Sequence, residues 1–78
     1  MPTIYREGPY RVYFHSHEPD EPPHVHVDRG DQSAKFWIVT VSLARNLGFS
    51  AVELGRIQRM LRERRTLLLE KWYERFST

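Results

Sequence analysis

The chain has no cysteine. No disulfide can staple it, and no thiolate can hold a metal or attack a substrate. That absence fits a reducing compartment. Long apolar runs are missing too: no stretch approaches the roughly 18 apolar residues of a membrane-spanning helix. Met1 to Gly8 lacks the apolar centre of a secretory leader. A soluble, cytoplasmic protein with no membrane association is expected. Nothing resembles a glycine-rich phosphate loop, and no serine sits on a Gly-x-Ser-x-Gly elbow. Repeats and low-complexity tracts are also absent. The 78 residues read as a single domain, 1–78. So short a chain buries little surface and gains from a partner chain, either a different protein or a second copy.

The formal charge is +2, unevenly spread. Residues 1–49 carry five basic against six acidic side chains, and residues 50–78 carry seven against four. Arginine supplies nearly all of the positive charge, and guanidinium suits phosphate or carboxylate. Arg56, Arg59 and Arg62 progress around one side of a helical segment. They form a candidate nucleic-acid contact that would follow a phosphate backbone. The interleaved Glu53, Glu63, Glu70 and Glu74 favour a solvated face with i,i+4 pairs instead.

The first half alternates with period two. Thr3 to Arg6, Tyr10 to His15, His24 to Arg29 and Gln32 to Val39 read as strands, with turns at Glu7-Gly8-Pro9 and Gly30-Asp31. The spacings predict a four-stranded antiparallel meander over about residues 3–39. Ser16 to Pro23, rich in acid and proline, reads as an exposed loop. Ser42 to Leu47 reads as a short helix ended by Gly48. A long helix is expected over about 50–76, with Ser50 and Glu53 as a capping box. Leu54, Ile57, Leu61, Leu68, Trp72 and Phe76 form its apolar stripe, with Met60 and Leu67 on a second flank. Arg65 interrupts the stripe. Either the helix bends near Glu63-Arg64-Arg65, or Arg65 reaches a carboxylate at the sheet edge. The fold class is α+β, a sheet covered by two helices.

The segment Pro22-Pro23-His24-Val25-His26-Val27-Asp28 is the most distinctive. Side chains two apart on a strand share a face. His24, His26 and Asp28 therefore point one way, and Val25 and Val27 point to the core. The strand rise puts His24 and His26 about 6.5 Å apart at Cα. Such a pair suits one divalent metal ion or one phosphate, and His15 is the candidate third metal ligand. In a hydrolytic reading, a small nuclease or metal-dependent hydrolase, His24 and His26 act as base and acid while Asp28 orients a ring. A pair of solvated histidines above a buried valine pair is the plainer account. Tyr5, Tyr10, Tyr13 and Trp37 form a possible aromatic cluster on the sheet, suited to base stacking or to core filling.

Met1-Pro2-Thr3-Ile4, Gly8-Pro9-Tyr10-Arg11, Glu21 to Val27, Ala34-Lys35-Phe36-Trp37, Gly48-Phe49-Ser50 and Leu67 to Trp72 together resemble a small prokaryotic family, domain of unknown function 4160. The resemblance covers nearly the whole chain. It implies a stand-alone bacterial or archaeal protein, often one half of a two-gene pair similar to a type II toxin–antitoxin module. The expected partner is then a protein encoded nearby. The resemblance brings no catalytic residue with it.

Overall fold

The computed structural model describes residues 3–14 and 20–76. Five strands form one sheet in sequence order: β1 (Thr3–Glu7), β2 (Tyr10–Tyr13), β3 (His24–Arg29), β4 (Gln32–Trp37) and β5 (Ser42–Leu47). Every neighbouring pair is antiparallel. Two helices follow, α1 (Ala51–Glu63) and α2 (Arg65–Phe76). The α+β class and the meander are as expected, with one strand more.

The extra strand is the segment expected to be a short helix. Ser42 to Leu47 is β5, paired with β4 through Trp37↔Ser42, Phe36↔Leu43 and Lys35↔Arg45. Its leucine, alanine and arginine favour a helix locally. A six-residue helix is too short to sustain itself, whereas β4 offers backbone partners from Ser33 to Trp37. Val41 makes the reversal. It has φ of 52°, unusual for a β-branched residue. Its N–H donates to the Ile38 carbonyl at 3.3 Å, and its own carbonyl accepts from Gln58 Nε2 at 2.6 Å.

Alternation then decides what is buried. Val12, Phe14, Val25, Val27, Ala34 and Phe36 line one face and are buried. They form a core with Ile57, Met60, Leu61, Leu68 and Trp72 of the helices. Burying each large side chain contributes about 1.5–3 kcal/mol. Met60 belongs to this core rather than to a separate flank, because α1 turns a wide stripe inward. Leu67 stays exposed.

The expected long helix is broken at Arg64, whose φ of −108° and ψ of 12° leave the helical region. The Arg64 N–H closes a tight turn onto the Leu61 carbonyl, and its own carbonyl accepts from Leu68 N to start α2. Arg65 does leave the apolar stripe, but Nε donates to the backbone carbonyl of Val39 at 2.9 Å rather than to a carboxylate. The break lets Leu68 and Trp72 close over Phe14, whose ring meets Trp72 edge-on at 5.2 Å.

Candidate binding face of the sheet

Among the described residues the opposite face of the sheet is open around His26, Lys35 and Arg45, and the end of α2 reaches it at His24 through Trp72. Register places Tyr13 beside His26, His26 beside Lys35, and Lys35 beside Arg45 in one row across β2 to β5. A second row runs from His24 to Trp37 to Ser42. The third runs from Arg11 to Asp28 to Ser33 to Leu47. The period-two reading of His24, His26 and Asp28 as one row of positions along β3 is therefore correct.

The structure separates the roles of these three residues. His24 is fully buried, although it was expected on an open face. Its ring lies 5.0 Å from Trp72, 5.8 Å from Trp37 and 5.2 Å from His26, so it fills the gap between the end of α2 and the sheet. His24 Nδ1 donates to the Pro22 carbonyl at 2.9 Å, which fixes the ring and puts the acceptor nitrogen of the neutral form at Nε2. His26 is half-buried and stacks on Tyr13 with centroids 5.5 Å apart.

Asp28 accepts from the Tyr13 hydroxyl with both oxygens, at 3.1 and 3.0 Å, rather than orienting an imidazole. Burial and then this carboxylate push the Tyr13 phenol up to about 12. The Arg11 guanidinium sits 4.6 Å over the Tyr13 ring.

His24 and His26 are thus brought together. His15, the third candidate metal ligand, lies outside the described residues. Among the described residues no three histidine, aspartate or glutamate side chains converge on a possible metal position.

A groove of about 370 Å³ opens on this face, with Tyr13, His26, Lys35, Trp37, Arg45 and Leu47 among its walls. The Lys35 ammonium lies 4.9 Å over the Trp37 ring and pairs with the Glu21 carboxylate. Glu21 is also 3.7 Å from His24 Nδ1. The aromatic cluster expected on the sheet divides between the two faces. Tyr13 and Trp37 line the groove, whereas Tyr5 and Tyr10 pack against the core.

Arg56, Arg59 and Arg62 are exposed along α1. The acidic residue nearest this helix start acts toward the sheet. Glu53 accepts from the Tyr10 hydroxyl at 2.9 Å and pairs with Arg29. These two contacts, hydroxyl first, hold its carboxyl below the usual glutamate range. The expected capping box is therefore half formed. Ser50 Oγ accepts the Glu53 N–H at 3.2 Å, but the Glu53 side chain ties α1 to β2 and β3. Arg64 likewise reaches Glu7 of β1 at 3.5 Å.

The feature that sequence reasoning missed is the sheet edge that β5 forms among the described residues. β5 ends the sheet, and Leu43 and Leu47 are 44% and 52% exposed on it. Val39, just before β5, is 50% exposed. Reading this segment as a helix hid the edge. Period two gave no signal for it, because the register shift puts Leu43 opposite Phe36 and Leu47 opposite Ser33, on different faces.

Fold and site together define a small α+β domain, a five-stranded antiparallel meander with helices on one face and an open groove on the other. Within that class, the family model of a domain of unknown function (DUF4160) matches residues 10–73, and the chain belongs to that family. No curated protein and no solved structure matches the chain. No helix of the described residues is long and apolar enough to cross a membrane.

Proposed function

We propose that this protein is a binding module that takes a partner protein along the free edge of β5, as one member of a toxin–antitoxin-like pair. The observation that carries the reading is β5 itself. A free edge strand presents unpaired N–H and C=O groups as a template for another strand. Edges meant to stay solitary are short, charged or twisted away. Both edge pairs carry one register shift, at Thr3/Tyr5 and at Lys35/Phe36, so charge is what separates them: β1, the other edge, carries Arg6 and Glu7. β5 has a single charge, Arg45, and two exposed leucines among six residues.

A strand added there gains main-chain hydrogen bonds for affinity, with Leu43 and Leu47 selecting the side chains opposite. The small core supports the same reading, because a chain of this size gains much of its stability from assembly. The resemblance to two-gene modules supplies the kind of partner, a small protein encoded next to this one.

The test is co-expression of the tagged chain with the product of the neighbouring gene. A stoichiometric complex that survives purification is expected, together with a growth effect from one gene that the other relieves. A lone monomer indifferent to that product would remove the reading.

A further inference from the structure

We propose that the groove on the open face binds an unpaired nucleobase together with its phosphate, with the base on Trp37 and His26 and the phosphate between Lys35 and Arg45. This site shares Arg45 and Leu47 with β5 but uses side chains, whereas the partner-strand reading uses the β5 backbone edge.

Three observations converge on it. The first is a pair of prepared ring surfaces. His26 is backed by the Tyr13 ring, and Tyr13 is anchored by Asp28. Trp37 is held edge-on against the buried His24 ring and carries the Lys35 ammonium 4.9 Å over its own ring. Flat rings fixed beside a cationic groove stack bases without demanding one sequence.

The second observation is a like-charged cross-strand pair. Lys35 and Arg45 stand directly opposite in the register of β4 and β5. Like charges directly opposite destabilise a sheet, and an anion placed between the two would relieve that repulsion. Both side chains line the groove.

The third is the intramolecular anion already present. The Glu21 carboxylate pairs with Lys35 at the groove wall, where a phosphate oxygen would meet the same ammonium. A strand phosphate carries one negative charge, as a carboxylate does, and placed between Lys35 and Arg45 it meets both cations of the groove wall. It competes with Glu21 for Lys35, whose side chain is 17% exposed beside a 41% exposed carboxylate. The groove volume suits a single nucleotide unit, at the small end of ligand sites. An acidic peptide would satisfy the two cations but leave the rings unused.

The experiment uses the full chain at low salt and measures fluorescence anisotropy. Its probes are a labelled single-stranded RNA oligonucleotide, the matching duplex, a 5′-mononucleotide as competitor and a polyglutamate peptide. The single strand is expected to bind, and the duplex to bind at least about tenfold more weakly because its bases are already stacked. Trp37→Ala should weaken binding about tenfold or more, and Trp37→Phe should keep most of it. Lys35→Ala with Arg45→Ala should flatten the salt dependence. Glu21→Gln should raise affinity a few-fold, a gain that no loss of folding can mimic.

Competition by the mononucleotide would identify a free nucleotide as the ligand. Lack of competition would identify the strand, and both support the site. If Trp37→Ala fails to fold, Glu21→Gln and the Lys35/Arg45 variant decide. Three outcomes overturn the proposal: no binding of any nucleotide, equal binding of duplex or polyglutamate, or binding that survives every groove variant and is lost with Arg56, Arg59 and Arg62 replaced by alanine.

Discussion

Tyr13 and His26 stack across β2 and β3 with planes 23° from parallel, and Asp28 holds the tyrosine hydroxyl. Burial, then the Asp28 hydrogen bond, raises the Tyr13 phenol from 10.0 to about 12. The folded state therefore keeps its proton where the unfolded chain would lose it. The corresponding stability is present below pH 10 and is lost as pH rises from about 10 to about 12. Phenolate absorbance followed against pH should show this late titration, and Asp28→Asn should move it earlier. Because burial is the larger cause, the variant should still titrate above 10. An unchanged titration in Asp28→Asn would contradict the contact.

Glu53 behaves in the opposite sense. Its carboxyl is held low by the Tyr10 hydroxyl and by Arg29. Its contribution is present above the ordinary value of 4.5 and is lost as pH falls through the lower, folded value. Glu53→Gln should lower the urea midpoint at neutral pH and shrink the drop between neutral and acid conditions. Identical acid sensitivity in the variant would argue against the tie between α1 and the sheet.

The two histidines should separate by stability. His24→Ala empties a fully buried position among Trp37, Trp72 and His26, and should cost about 1–3 kcal/mol. His26→Ala leaves a half-exposed position and should cost less than about 1 kcal/mol. Chemical denaturation of both variants distinguishes them. A loss of any activity in His24→Ala alone then reflects the fold before it reflects chemistry.

The two neighbouring leucines of α2 provide a check on the broken helix. Leu68 is fully buried and Leu67 is 38% exposed. Leu68→Ala should cost about 2–5 kcal/mol, and Leu67→Ala about 0.5 kcal/mol or less. Comparable losses would mean that α2 is rotated from the orientation described.

Much of the fold was legible because alternation and helical periodicity report burial directly. Val25 and Val27 were placed in the core, as were Ile57, Leu61, Leu68 and Trp72. Arg65 falling inside an apolar stripe announced either a bend or a contact to a carboxylate, and the break at Arg64 is the first of these. β5 was not legible, because its local preferences favour a helix and only the edge of β4 makes it a strand. The burial of His24 was hidden as well. Strand alternation assigns a side to each residue, but it does not show that the end of a distant helix, at Trp72, folds against that side. Likewise, the spacing Ser50 to Glu53 announced a cap and gave no sign that Tyr10 and Arg29, 43 and 24 residues away, would take the carboxylate.

The central claim is that β5 receives a partner strand. Amide hydrogen exchange on the full chain, with and without the product of the neighbouring gene, tests it most directly. Exchange should slow across Ser42–Leu47 on complex formation, more than across Thr3–Glu7, and a Leu43→Lys, Leu47→Lys variant should lose both the complex and the added protection. Protection confined to β1 or to Arg56–Arg62, with β5 unchanged, would contradict it.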